Sequence, residues 1–233
     1  MGVQSTLWDA GSPLSVPDLA GVIYSSGKVF DGLSTGRLQT EAFLRSGSLE
    51  GIESRSDLFL LQDLRDAAEF VLASGNRTVS PGLIKDVNAR LTRSASINPG
   101  EYRSAASRIG VRTRYGRHEP PAVTDALMLA IVNSALAQGD RVDQALDLFV
   151  RLAKAQPFSD GNKRTALFVA NHHLIYGGTG FLLTIPVEED DPEVADRFND
   201  LLARAYIFDE HEEVKVMLRE QGLVQIGSGG GHS

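Results

Sequence analysis

Apolar residues recur at helical spacing along most of the chain. Between residues 58 and 73 they fall three or four apart, at Leu58, Leu61, Leu64, Ala68, Val71 and Leu72. Ser80 followed by Pro81 predicts the start of the next helix, because a hydroxyl caps a first turn and proline is tolerated there. Similar patterns predict helices over 122–137, along an apolar stripe from 142 to 152, over 163–176, over 192–205 and over 211–221.

One segment breaks the helical pattern. Val111, Thr113 and Tyr115 alternate with Arg112 and other residues, and a period of two is typical of a strand. We therefore predict a short β-hairpin, or flap, between positions 99 and 121 of a protein that is otherwise all-α.

The elements suggest one main domain with extensions at both ends. We predict an N-terminal extension over residues 1–40, the main domain over 41–206, a C-terminal helix within 207–226 and a disordered tail over 227–233. The extension is rich in Gly and Ser. Because glycine lowers helix propensity, its structure stays undefined at this stage.

Composition narrows the classes of function. The sequence has no cysteine, which excludes disulfides and thiolate zinc sites and is typical of a reducing compartment. A net charge of −7 argues against nucleic acid as the main partner. No apolar run reaches transmembrane length, and residues 1–15 lack the pattern of a secretion signal. We therefore expect a cytoplasmic protein that acts on neither nucleic acid nor membrane, and composition leaves a homo-oligomer open.

The chemistry is predicted at residues 156–165, QPFSDGNKRT, where a loop leads into a helix. The N-terminus of a helix presents free N–H groups, Gly161 permits close approach of an anion, and Lys163 and Arg164 add positive charge. Asp160 would repel a phosphate unless Mg²⁺ lies between them, and this ion prefers one or two carboxylates plus phosphates. The alternative is that Asp160 and Asn162 only cap the helix and that the two cations are solvated.

This loop resembles the signature of the Fic/Doc (Fido) superfamily, H-x-F-x-[DE]-G-N-[GK]-R, through Phe158 and the run from Asp160 to Arg164. Residues 99–103, the run from Arg108 to Gly110 and the pair Pro120-Pro121 are similar to the flap region of that family. The resemblance covers roughly residues 40 to 205. It implies an all-α Fic fold with a short β-hairpin flap.

The resemblance also implies a reaction, which is the transfer of AMP from ATP to a hydroxyl side chain of a target protein, with Mg²⁺. Asp160 would hold the metal. The residues that would bind the phosphates of ATP are Gly161, Asn162, Lys163 and Arg164. The flap residues that would dock the target protein are Gly110, Val111, Arg112 and Thr113.

A second family element lies upstream, where residues 46–51, SGSLEG, are similar to the inhibitory motif [ST]-x-x-x-E-[GN]. Ser46 and Glu50 are four apart, so on a helix they would share a face. The resemblance implies that Glu50 points into the nucleotide site and blocks the phosphates. The alternative is an exposed glutamate in front of a loop.

Two positions depart from the family pattern. Gln156 stands where the family has the histidine that takes the proton of the target hydroxyl, and an amide cannot act as that base. Leu167 stands where AMP-transferring members usually carry a second arginine, the partner of the inhibitory glutamate.

These departures keep other functions open. Lys163 and Leu167 favour a Doc-like protein kinase, Glu50 could activate water for the removal of AMP, and Gln156 favours a catalytically silent nucleotide-binding module. Of the other histidines, only His118 lies near the flap and is a candidate base. We expect those at 172 and 173 to be structural and that at 211 to lie on the surface.

Overall fold

The computed structural model describes residues 13–94, 98–107, 109–137 and 139–227. The predicted tail from position 228 onward and Arg108 lie outside these residues. Within them the chain is mainly helical and has two small antiparallel sheets of two strands each, which confirms the predicted fold class.

The elements follow one another as short helices and very short strands. After a 3-10 turn at Val16–Leu19, the first half consists of α1 (Ala20–Asp31), α2 (Arg37–Ser46), α3 (Arg55–Ala73), α4 (Pro81–Asn88), β1 (Val111–Thr113) and β2 (Gly116–His118). The second half consists of α5 (Asp125–Leu136), α6 (Arg141–Ala155), α7 (Asn162–Tyr176), β3 (Phe181–Leu183), α8 (Pro192–Phe208), α9 (Glu212–Met217), a π-helical turn at Leu218–Gly222 and β4 (Leu223–Gln225). Among these described elements, no helix is both long and apolar enough to cross a membrane.

Helix α7 lies at the centre of the fold. Nearly all its residues are buried, and α1, α3, α4, α6 and β3 pack around it. This arrangement accounts for its sequence, since a helix that is covered on every side has apolar residues all round rather than on one stripe. The N-terminus of α7 is therefore held by the core.

Asn171 joins α7 to the second sheet. Its amide nitrogen donates to the carbonyl of Leu183 at 2.8 Å, and its amide oxygen accepts the N–H of Leu183 at 2.9 Å. Strand β3 then pairs with β4, with Phe181 opposite Gln225. The sequence pattern did not predict this sheet, because each strand has only three residues.

The N-terminal region contains an ordered helix despite its glycines. In α1 the apolar residues Val22 and Ile23 are fully buried, and Gly27 lets Leu33 pack closely, since an added Cβ would lie 3.0 Å from the Leu33 Cδ2 atom. Gly32 ends the helix with a φ of 68°. Burial therefore outweighs the weak helix propensity of this segment.

The expected helical pairing of Ser46 with Glu50 is wrong. Helix α2 ends at Ser46, because Gly47 adopts a left-handed conformation with a φ of 75°. Glu50 follows in an exposed turn, where its N–H donates to the Ser48 hydroxyl at 3.3 Å. The two residues thus share no helical face.

We predict that Asn171→Ala lowers the free energy of unfolding by about 2–4 kcal/mol, since the N–H and the carbonyl of Leu183 both lose a buried partner. Urea unfolding followed by circular dichroism measures this change. Asn133→Ala, on the exposed face of α5, is the matched control and should change stability by less than about 0.5 kcal/mol. Equal effects of the two substitutions would contradict the role of Asn171.

Candidate functional site

A cavity of about 390 Å³ opens at the N-terminus of α7. Three segments line it, namely residues 156 and 159–164 of the loop, residues 109–112 at the start of the flap, and Phe30 and Asp31 at the end of α1. The structure therefore brings the predicted loop together with Gly110, Val111 and Arg112. Thr113 lies one position further along the flap and lines a neighbouring cavity between the flap and α8.

Backbone geometry and two amide contacts fix the shape of the loop. Gly161 has a φ of 71°, and an added Cβ would lie 2.5 Å from the Leu91 Cδ1 atom, so a larger residue would be strained at this position. The Asn162 amide oxygen accepts the N–H of Phe158 at 2.8 Å, and its nitrogen donates to the Phe158 carbonyl at 2.9 Å. The Phe158 ring is buried and packs against Tyr102, which anchors the loop in the core.

The first turn of α7 presents main-chain donors to the cavity. The first helical hydrogen bond runs from the N–H of Thr165 to the carbonyl of Gly161 at 2.8 Å. Residues 162–164 therefore have no helical acceptor for their N–H groups, and this end of the helix carries a partial positive charge. Since the Asn162 side chain is used within the loop, its contribution to an anion would come from the main chain.

Arg164 is buried, with 2% of its side chain exposed, and is held by three side chains. Its Nη1 atom donates to the Ser94 hydroxyl at 2.8 Å, its Nη2 atom lies 3.4 Å from Asp160, and its Nε atom lies 3.3 Å from Asp31. Behind it, the Ser94 hydroxyl donates to the buried carboxylate of Asp63 at 2.8 Å. The guanidinium thus faces the cavity between two carboxylates.

Burial shifts the pKa values of two further charged residues of this site, Asp31 and Lys163. Burial raises the pKa of Asp31, while the nearby Arg164 and Lys163 oppose that shift. Burial also lowers the pKa of Lys163, whose ammonium lies 4.7 Å from the centre of the Phe30 ring. A carboxylate of α1 therefore lies beside the cations that were predicted to bind phosphate.

Asp160 is a single carboxylate, so a cation bound there would need further oxygen ligands from a phosphate or from water. Its side chain is 51% exposed, and one carboxylate oxygen accepts the N–H of Gly161 at 2.6 Å. The described residues contain no group of three or more His, Cys, Asp or Glu side chains that could hold a metal. An Mg²⁺ ion at Asp160 would therefore need phosphate and water oxygens to complete its shell.

Both the nitrogen and the oxygen of the Gln156 side-chain amide form hydrogen bonds within the protein. It ends α6 with a φ of 45° and is 7% exposed. Its nitrogen donates to the Ala153 carbonyl at 2.6 Å, and its oxygen accepts from Asn162 at 3.1 Å. The Gln156 side chain, which was predicted to stand at the position of the family base, is therefore a structural link between α6 and α7.

His118, the candidate base, does not line the cavity at the loop. One ring nitrogen lies 2.7 Å from the Lys154 carbonyl, the ring stacks on Tyr206, and burial lowers the pKa of His118. It lines a different cavity, beside Pro120 and Pro121. This histidine of the flap therefore lines a cavity other than the one at the loop.

Three other histidines of the described residues lie away from the cavity. His172 and His173 are buried in α7, as expected for structural residues, and burial lowers the pKa of His173 to about 4. The surface position expected for His211 is wrong, since its side chain is only 11% exposed. Its ring lies 2.9 Å from Asp209, which places it against the end of α8.

The predicted inhibitory residues do not line the cavity. The Ser46 hydroxyl donates to the Ala42 carbonyl at 2.9 Å, and Glu50 is exposed. Leu167 is fully buried within α7. The inhibitory role of Glu50 stays a prediction.

Sequence reasoning missed three groups of this site. Phe30 and Asp31 were in the segment left undefined, and the Ser94 contact has no motif. Asn88 is the third, since its amide nitrogen donates to the Thr165 hydroxyl at 3.0 Å and its oxygen accepts the N–H of Gly100 at 2.8 Å. Only the buried position of Asn88 on the apolar helix α4 could have indicated it.

Comparison with known proteins points to one family. The model of the Fic/DOC family matches residues 78–174. A search of curated proteins finds no match to the chain.

Solved structures share the fold at low sequence identity. A Fic domain containing signaling protein from Bacteroides thetaiotaomicron superposes with a TM-score of 0.65 and 20% identity, over 89% of this chain and 84% of the other. Fic-1 (residues 134–508) from C. elegans gives a TM-score of 0.64 and 20% identity, over 86% of this chain and 59% of that fragment. An N-terminal Fic domain from Bartonella quintana, solved with bound ADP, gives a TM-score of 0.50 and 14% identity, over 74% and 86%.

The chain thus spans about three fifths of the C. elegans fragment, and identities of this size show the fold alone. The family match contains the flap, the loop and most of α7, which are the segments that build most of the cavity. Residues 78–174 of this chain therefore match the Fic/DOC family model, and the fold resembles that of solved Fic domains.

Proposed function

We propose that the protein binds ATP in the cavity at the N-terminus of α7 and transfers its AMP group to a hydroxyl side chain of a target protein. This proposal rests on one observation. Lys163, Arg164 and the free N–H groups of α7 line a cavity that the start of the flap also lines.

Charge and shape both favour a nucleotide phosphate as the ligand. Gly161 brings the main chain close, and charge-assisted hydrogen bonds from Lys163 and Arg164 would be strong in a partly buried site. Asp160 would hold Mg²⁺, which would neutralise phosphate charge. The ADP bound to the Bartonella quintana domain supports a nucleotide in the same fold.

In the proposed reaction, the target hydroxyl oxygen attacks the α-phosphorus of ATP. A new P–O bond forms, the bond between the α-phosphorus and its bridging oxygen breaks, and pyrophosphate leaves. The proton of the hydroxyl must pass to a base, and Gln156 offers none. Transfer to water is slower, since a missing general base costs about 10²–10⁴-fold in rate.

A second candidate is a catalytically silent nucleotide-binding module. The observation that favours it is the Gln156 side chain, whose two ends are hydrogen-bonded to Ala153 and Asn162. A Doc-like kinase, favoured by Lys163 and Leu167, and an enzyme that removes AMP are the further alternatives. The mass added to or removed from the target protein distinguishes all of these.

Asp31 is a better candidate than Glu50 for a carboxylate that opposes the phosphates. It lies 3.3 Å from Arg164 and lines the cavity, whereas Glu50 is exposed and does not. A bound phosphate would have to displace this carboxylate or tolerate its charge.

We predict that Arg164→Ala raises the dissociation constant of ATP about 10- to 100-fold, because hydrogen bonds to a charged group are worth about 1.5–3 kcal/mol. Isothermal titration calorimetry with Mg²⁺ measures it. Arg204→Ala is the control and should bind as wild type does, because this guanidinium of α8 pairs with Glu210 and with Glu213 of α9, away from the loop. Unchanged affinity in a folded Arg164→Ala variant would rule out this loop as the phosphate site.

We predict that Asp31→Asn lowers the ATP dissociation constant at least about fivefold, because the substitution removes a negative charge within a few ångströms of the phosphates. Glu50→Gln is the matched comparison and should leave affinity unchanged. The same titrations decide the matter. Tighter ATP binding by Glu50→Gln alone would indicate that Glu50 is the inhibitory carboxylate. Weaker ATP binding by Asp31→Asn would indicate that Asp31 helps to bind the nucleotide.

We predict that Gln156→His converts a weakly active or inactive chain into one that labels protein, since imidazole accepts a proton near neutral pH. Histidine also tolerates the left-handed backbone found at this position. Radiolabelled ATP incubated with a cell lysate, followed by mass spectrometry of labelled peptides, measures both rate and product. Gln156→Ala is the control, because it loses the amide without gaining a base.

Asp31→Asn should raise the labelling by Gln156→His further, whereas Glu50→Gly should raise it only if Glu50 is the inhibitory carboxylate. Strong labelling by the unmodified chain would contradict the proposed role of position 156. Absence of labelling in every variant that still binds ATP would favour the silent module.

A further inference from the structure

Arg103 has unusual surroundings for an arginine. Its side chain is 7% exposed, and every nitrogen of its guanidinium donates to a main-chain carbonyl. The Nε atom donates to Gln156 at 2.8 Å, Nη2 donates to Pro120 at 2.5 Å and to Pro121 at 2.8 Å, and Nη1 donates to Ser107 at 3.3 Å.

No carboxylate of the described ranges pairs with this guanidinium. Burial without a counter-charge lowers the pKa of Arg103. Burying an unpaired charge is costly, so the carbonyl dipoles must offset the loss of water. A planar fork with five N–H donors can reach several carbonyls at once, and a lysine ammonium cannot do so at the same spacing.

The carbonyls belong to three separate places in the site. Ser107 precedes the flap, Pro120 and Pro121 follow it, and Gln156 begins the loop that leads to α7. The main-chain N–H of Arg103 also donates to Pro157 at 2.9 Å. One residue therefore connects both ends of the flap to the loop.

The other contacts of the flap lie further along it. His118 of β2 contacts the Lys154 carbonyl at 2.7 Å, and Arg114 at the hairpin turn lies 2.6 Å from Asp200 of α8. Neither contact involves the loop over residues 156–164. The guanidinium of Arg103 is thus the described side chain that ties the flap to that loop.

We infer that Arg103 is a positioning residue that holds the flap at a fixed distance from the phosphate loop. Its catalytic consequence rests on the proposed function, because a target hydroxyl docked on the flap would reach the α-phosphorus only if the two walls of the cavity keep their spacing. Reactions of this kind are sensitive to misplacement of about 1 Å.

Hydrogen–deuterium exchange of the nucleotide-free chain tests the inference directly. In Arg103→Lys, protection of the flap amides over 109–118 should fall about tenfold, which is the change expected from losing a hydrogen bond to a charged group. Amides inside α7 should keep their protection. Tyr176→Phe is the matched control, because it removes a buried hydrogen bond to the Leu72 carbonyl, found at 2.6 Å, far from the flap.

The Arg103→Lys substitution distinguishes a positioning role of Arg103 from a role that needs only its positive charge. If Arg103 served only to place a positive charge in the interior, Arg103→Lys would retain flap protection, and that result would overturn the inference. Arg103→Gln, which keeps an amide donor without charge, replaces the lysine variant if the latter does not fold. A rise in exchange that is equal in the flap and in α7 would indicate general destabilisation and would also overturn it.

The rate of target labelling tests whether Arg103 also affects catalysis. In the Gln156→His background, Arg103→Lys should lower the rate of labelling about tenfold or more while the ATP dissociation constant stays within about twofold, since Gly161 and Asn162 still shape the loop. Failure of wild-type chain to bind ATP would refute the proposed function and leave the exchange result standing. Unchanged flap exchange in the lysine variant would refute the inference and leave ATP binding standing.

Discussion

The burial of α7 is the constraint on which the rest of the structure depends. Because other elements pack around this helix on all sides, its first turn cannot move without disturbing the core. The donors that face the cavity are therefore fixed before any ligand arrives, and fixed dipoles need no reorganisation when a charge binds. Asn162 at one end and Asn171 near the other transmit this rigidity to the loop and to the second sheet.

Local signals in the sequence were enough to predict the parts of the fold that depend on short-range rules. Ser80 and Pro81 begin α4, and the alternation around Thr113 becomes the hairpin. Contacts between distant segments were not predictable in this way. Asp31 lies more than a hundred positions from Arg164, and no periodicity or cap indicates that their side chains meet. A family pattern also cannot show where a helix stops, and Gly47 ended α2 before Glu50.

The candidate site places two cations at its cavity and an amide where the family resemblance predicts a base. Lys163 and Arg164 supply the positive charge that a phosphate would need, while Gln156 takes part in the internal hydrogen bonding of the loop. An amide can fill the place of an imidazole and preserve the loop, because its two ends meet the Ala153 carbonyl and the Asn162 nitrogen. Geometry and proton transfer are thus separable properties of this position.

The contribution of α1 to the cavity wall determines which fragment of the chain would retain the whole candidate site. The family match starts at residue 78, yet Phe30 and Asp31 close one side of the cavity. A fragment cut at the family boundary would open this side to solvent, leave the Phe30 contact of Lys163 unmade and free Arg164 of one carboxylate. The smallest piece that carries the native site therefore starts before α1, and shorter fragments would report on a differently charged pocket.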